Sequence, residues 1–154
     1  VNSEIIIREF RDFENPEVWM THKKVVYTDK APAPVGPYSQ AIRVGPWLFL
    51  SGQIAIDPAT QQWVGGSIEE QTERVMENLR AVVEAAGGSL EDLVQVTIYL
   101  KDMSLFPRVN QVYARYVGAQ PPARATVAVA DLPRGADIEI AAVAYIPSAA
   151  HPTE

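Results

Sequence analysis

The sequence predicts an α+β domain: a mixed sheet of six strands with two helices on one face. Two observations carry this. Six short runs rich in β-branched and aromatic residues are interrupted by two helical patterns, in the order β-β-β-α-β-α-β-β. Helices placed between strands imply crossover connections, which parallel pairing requires, while the tight turns imply antiparallel pairing. A third observation concerns assembly. In the last strand Ile138, Ile140, Ala142, Ala144 and Ile146 share one side, and Ala141, Val143 and Tyr145 share the other. Two helices cover one face only, so the second apolar face is expected to be covered by another copy of the chain.

Each element has its own signal. "KKVVYT" reads as the first strand, and the Pro-rich "KAPAPVGPY" after it is extended or turned, because proline fixes φ and lacks an N–H. Gly45-Pro46 marks a hairpin turn between "AIRV" and "WLFLSGQIAI", and "DPATQQWVGG" reads as a loop. The first helix begins at Ser67, an N-cap with Glu70 placed for a capping box, and stops at Gly87-Gly88. Thr72, Val75, Met76, Leu79, Val82, Val83 and Ala86 form its apolar stripe. "SLEDL" gives one helical turn into the strand Val94–Leu100. A second helix spans about Leu105–Val117, capped by Asp102 or Ser104, with Pro107 in its first turn and Phe106, Val109, Tyr113 and Tyr116 facing inward. "ATVAVA" and "IEIAAVAYI" are the last two strands, with "DLPRGAD" between them.

Composition narrows the function. The chain has 154 residues, 47% of them hydrophobic and 21% charged, which suits one domain with a sizeable core. Thirteen basic against nineteen acidic residues give a net charge of -6, which disfavours a nucleic-acid or anionic-membrane partner. No apolar run is long enough to span a bilayer. Cysteine is absent, so disulfides, thiolate chemistry and cysteine-ligated metals are excluded, and a cytoplasmic location is expected. The two histidines, His22 and His151, flank the patterned region, which disfavours a histidine-based triad or metal site in the core. Catalysis is left to carboxylate, Arg, Tyr, Ser/Thr, Lys or backbone groups.

Two charges interrupt the last strands. Arg124 opens "ATVAVA" on the side of Thr126 and Ala128, and Glu139 sits inside "IEIAAVAYI" on the side of Ala141 and Val143. The pattern leaves two readings open. One is structural: a salt bridge, or strand-end charges reaching water. The other is a site for a small carboxylic acid, with the planar fork of Arg124 as anion clamp and Glu139, its pKa raised by apolar surroundings, as acid-base group.

The blocks "PVGPYSQAI", "LFLSGQIAIDP", "QTERVMENLRAVVEAAGGSLEDLVQVTIYLKDM", "FPRVNQVYARYV" and "PPARATVAVADLPRGADIEIAAVAY" resemble, in order, those of the Rid (YjgF-type) family of reactive intermediate deaminases. The likeness covers residues 24–147, leaving 1–23 as an N-terminal extension of unassigned role and 148–154 as a tail. It implies a chorismate-mutase-like fold and a homotrimer with active sites between subunits. It implies cofactor-free, metal-free hydrolysis of 2-imino acids to 2-oxo acids and ammonia. Arg124 would then anchor the substrate carboxylate and Glu139 would hold or activate water. Tyr38, Ser51, Gly52 and Asn110 would line the cleft, Ser51 and Gly52 through backbone groups. One departure stands out: many members carry Cys two residues after the arginine, where this chain has Thr126. Two other activities stay open, RNA cleavage with translation inhibition, and non-catalytic carboxylate binding by a regulatory trimer.

Overall fold

The computed structural model describes residues 22–147. The N-terminal extension up to residue 21, the 148–154 tail and His151 lie outside the described residues. Eight strands and two helices follow in order: β1 (Lys24–Val26), β2 (Ala41–Val44), β3 (Trp47–Gln53), β4 (Ile56–Asp57), β5 (Gln62–Trp63), α1 (Ile68–Ala85), β6 (Leu93–Leu100), α2 (Phe106–Val117), β7 (Ala123–Ala128) and β8 (Ile138–Tyr145). Six strands form one sheet in the order β1-β2-β3-β8-β6-β7, in which only β6 and β7 run parallel. The mixed six-stranded sheet with two helices is therefore present as predicted. One region differs. "WLFLSGQIAI" is not one strand: β3 stops at Gln53, and the predicted loop after it holds the small β4–β5 hairpin.

Local chemistry explains the element ends. Gly45 takes φ 57 in the two-residue turn between Val44 and Trp47, a conformation that a side chain resists. The Ser67 hydroxyl accepts from the Glu70 N–H and caps α1. Gly87 takes φ 89 after the last turn, and the Gly88 N–H returns to the Val83 carbonyl. Asp102 accepts from the Ser104 N–H and starts a single tight turn, Met103–Leu105, that leads into α2.

The core lies between the helices and one face of the sheet. Val75, Met76, Leu79, Val82 and Val83 of α1 and Val109 and Tyr113 of α2 pack on Leu48, Leu50, Val96, Ile98, Leu100, Ile138 and Ile140. The opposite face stays open. Val25, Trp47, Phe49, Val127 and Tyr145 are exposed there, and the Trp47 and Tyr145 rings meet edge to face at 5.1 Å.

A candidate site in two halves

The alternation of the strands sends Arg124 and Glu139 to opposite faces of the sheet. Arg124 is in register with Val96, which lies buried under the helices. Glu139 is in register with Tyr99, whose side chain points to the open face. An Arg124–Glu139 salt bridge within one chain is therefore ruled out, because a side chain cannot reach through the sheet. That removes one of the structural readings of these charges.

The Arg124 half is built by β7 and α2. The guanidinium lies over the rings of Phe106 and Tyr113, 5.3 and 5.0 Å from their centroids. Its Nη1 donates to Asn110 Oδ1 at 2.8 Å. Five N–H groups sit on a guanidinium and Asn110 takes one, so a face of donors remains for an anion. The cleft beside it, about 510 Å³, is lined by Asn110, Tyr113, Ala114, Pro121, Pro122 and Arg124 among others. The Tyr113 hydroxyl and the Thr126 hydroxyl are both buried without a hydrogen-bond partner. Burial pushes the Tyr113 pKa up, opposed by the nearby Arg124 charge. Thr126 shares the face of Arg124 but lines neither of the two clefts described here.

The Glu139 half is built by β3, β8 and the Pro-rich loop. Strand register slips between Leu50 and Gln53, so a bulge forms at Ser51-Gly52 beside β8. Gly52 leaves the carboxylate its room: a Cβ on it would lie 2.7 Å from Glu139 Oε2 and 2.8 Å from its carboxyl carbon, so the Glu139 side chain would have to move. Glu139 is half-buried, and burial pushes its pKa above the ordinary 4.5. It makes no hydrogen bond and no ion pair with the described residues. The cleft over it, about 550 Å³, is lined by Tyr38, Ser51, Gly52, Ile54, Arg134 and Glu139 among others.

The supporting contacts are specific. Ser51 Oγ donates to the Ser39 carbonyl at 2.6 Å, so its hydroxyl holds the Pro-rich loop on β3. Tyr38 packs its own turn, its hydroxyl accepting from the Val35 N–H at 3.2 Å, while its ring edges the cleft. Sequence reasoning missed Gln40. Fully buried, it accepts from the Thr28 N–H and donates to the carbonyls of Thr28 and Pro32, which fixes the cleft wall. It also missed Arg134, an exposed non-glycine residue at φ 56 that lines the Glu139 cleft. The signal for both was faint: one amide beside a Pro-rich stretch, and one arginine wedged between Pro133 and Gly135.

Fold and clefts together define a class: a small α+β protein with one sheet that carries a cationic half-site on its covered side and a carboxylate half-site on its open side. Comparison with known proteins gives the family. The family model described as Endoribonuclease L-PSP matches residues 28–146, and the chain belongs to that family, also called the Rid or YjgF family. A RutC family protein of Pyrococcus abyssi is 54% identical over 123 residues, spanning 80% of this chain and 97% of the relative. A Dermatophagoides farinae protein named 2-iminobutanoate/2-iminopropanoate deaminase is 40% identical over 127 residues, 82% of this chain and 99% of that one. The crystal structure of E. coli TdcF with bound serine superposes with a TM-score of 0.77 at 35% identity, covering 80% of this chain and 99% of TdcF. Among the described residues no helix is long and apolar enough to cross a membrane.

Proposed function

We propose that the protein hydrolyses 2-imino acids to 2-oxo acids and ammonia, in clefts that two copies of the chain build together within a homotrimer. The observation that carries the reading is Glu139: a half-buried carboxylate with no partner, lifted in pKa, lying against a glycine bulge in the lining of a cleft. A half-buried carboxylate whose pKa is raised suits proton exchange with water. The anion clamp it needs, Arg124, lies on the far side of its own sheet. A neighbouring copy seated on the exposed Trp47–Phe49–Tyr145 face can bring its Arg124 to this Glu139, and the same contact covers the apolar surface. The relative named as an imino-acid deaminase and the relative holding an amino acid, itself a small carboxylate, support the choice of substrate.

The chemistry follows from the groups. Arg124 receives the substrate carboxylate through paired N–H donors, and Asn110 holds the guanidinium in place. Ionised Glu139 accepts a proton from water as the oxygen adds to the iminium carbon, giving a carbinolamine. The same proton then passes to nitrogen. The C–N bond breaks and ammonia leaves as Glu139, ionised again, takes the hydroxyl proton to form the 2-oxo acid; the proton then passes through water to ammonia. Residues of this chain supply every group in that sequence.

The test combines two dead variants. Arg124→Ala and Glu139→Gln are each expected to lose most turnover of freshly generated 2-iminobutanoate. Co-refolded in equal amounts, they restore one working cleft in every mixed ring, which is about a quarter of wild-type activity for a cyclic trimer. No recovery would overturn the shared cleft. RNA cleavage is the second reading, carried by the description of the family model. Wild-type protein that degrades RNA and leaves the imine's spontaneous rate unchanged would favour it.

A further inference from the structure

Arg134 is placed in the cleft by features that its own backbone resists. It takes φ 56 and ψ 22 in the Pro133–Gly135 turn, a region uncommon for a side chain of this size. The turn is nonetheless fixed. The Ala136 N–H donates to the Pro133 carbonyl at 3.1 Å, and the Ala136 side chain is fully buried in a small apolar cluster with Ile54 and Ile56. Ile54 and Ile56 themselves line the Glu139 cleft. The same packing therefore shapes the cleft wall and holds Arg134 in its lining. Strained backbone kept by surrounding packing concentrates at ligand-binding positions.

The charge of Arg134 is unspent. Several other cations are committed: Arg108 to Glu69, Arg80 to Glu77, Lys101 to Asp131 and Arg43 to the Ala86 carbonyl. Lys30 and Arg115, like Arg134, make no ion pair with the described residues, but neither lines this cleft. Arg134 makes no ion pair with the described residues, Glu139 of the same cleft included. A half-buried carboxylate and an exposed guanidinium without an ion pair line the same cleft. A neutral substrate side chain needs neither. A side chain ending in a second carboxylate would be repelled by ionised Glu139 alone and is accommodated once Arg134 receives it.

We propose that Arg134 is a second anion anchor, and that the cleft selects 2-imino acids whose side chain carries a terminal carboxylate. This rests on the deaminase reading for turnover, but the anchor itself is a statement about binding. Arg134 is a specificity-determining residue here. The reaction is the same hydrolysis, with water adding to the iminium carbon and ammonia leaving, and a 2-oxo dicarboxylic acid as product. The class of reaction that supplies the substrate is elimination of water from a β-hydroxy amino acid that also bears a side-chain carboxylate: the Cα–H and Cβ–OH bonds break, and the resulting enamine tautomerises to the imine.

The experiment compares the four-carbon 2-imino dicarboxylic acid with 2-iminobutanoate, its neutral four-carbon counterpart, both generated in the assay. Wild-type protein is expected to favour the dicarboxylate in kcat/KM. Arg134→Gly removes the guanidinium and is the residue best suited to the turn's positive φ, so a folding defect is not expected to confound it. In that variant the ratio of the two kcat/KM values should fall by about ten- to a hundredfold, the usual weight of a charge-assisted hydrogen bond. Arg134→Lys should recover part of the ratio. Binding of the product-like 2-oxo dicarboxylate against 2-oxobutanoate, measured by calorimetry, separates the two ideas. An Arg134-dependent preference in binding without any turnover would retain the anchor and remove the deaminase reading. A binding and turnover ratio that is the same in wild type and Arg134→Gly would overturn the anchor and leave the deaminase reading standing.

Discussion

Gly52 and Glu139 constrain each other. A Cβ at residue 52 would fall within 3.0 Å of Glu139 Oε2, its carboxyl carbon and its Cγ, so Gly52→Ala must push the carboxylate aside. The atoms in the way belong to a flexible side chain. The expected cost in stability is therefore small, within about 1 kcal/mol, the range of ordinary mild substitutions. Turnover should nonetheless fall toward that of Glu139→Gln, roughly 10²–10⁴ below wild type if the proton transfer is lost. Thermal unfolding and imine turnover on the same sample check this: a variant that unfolds early would mean that the bulge is structural.

Titration of Glu139 gives a second residue-scale expectation. Its folded pKa is raised by burial, so the ionised form is disfavoured in the folded state. The sign follows. Its contribution to stability is greatest below the unfolded value and is lost as pH rises through the folded one. Glu139→Gln should therefore leave stability little changed in acid and raise it at neutral pH, and it should erase an acid limb of kcat/KM lying above 4.5. An acid limb that survives the substitution would assign that proton to another group.

Two side-chain clips hold the elements that carry the site. Gln71 of α1, fully buried, donates to Asp137 Oδ2 at 2.8 Å and accepts from the Asp137 N–H at 3.2 Å. This sets the start of β8 two residues before Glu139. Gln40 does the same for the Pro-rich loop. Gln40→Ala strands buried carbonyls of that loop and should cost about 1–3 kcal/mol in denaturant unfolding. Unchanged stability would mean that the loop holds itself. Between the helices, Arg108 meets Glu69 with two short bonds of 2.6 and 2.7 Å, and this holds the Glu69 pKa down at about 2. The depressed pKa gives stability that is present above the ordinary value of 4.5 and lost as pH falls toward 2. Both side chains are exposed, so solvent screens the pair and its loss with acid should be modest and weaker still at high salt. Arg108→Ala should flatten that acid limb in unfolding experiments.

At the scale of the molecule, the proposed assembly rests on the open face. Trp47, Phe49 and Tyr145 are each between 43% and 49% exposed in one chain, on the same side as Glu139. Phe49→Asp is expected to yield a folded monomer with the turnover of Glu139→Gln, because the half-sites part company. Light scattering and circular dichroism distinguish this from unfolding. A monomeric variant with full activity would remove the shared cleft from the proposed function.

Local pattern is enough to identify the six main strands, the two helices, their apolar faces and the family. The stripe of α1 and the Ile138–Ile140–Ala142–Ala144 stripe of β8 are buried as their periodicity predicts, because regular spacing gathers apolar side chains on one face. The alternation of β7 and β8 also placed Arg124 and Glu139 on their respective sides. The sequence did not reveal that these sides are the two faces of one sheet, since that depends on which strands neighbour which. The order β3-β8-β6-β7, with β7 at the edge under α2, is a long-range choice that no local pattern encodes. The same holds for the bulge at Ser51-Gly52, the β4–β5 hairpin and the place of Arg134 in the cleft lining. Each is set by what packs against it from elsewhere in the chain: Glu139 against Gly52, Trp63 opposite Ile56, and buried Ala136 beneath the arginine's turn.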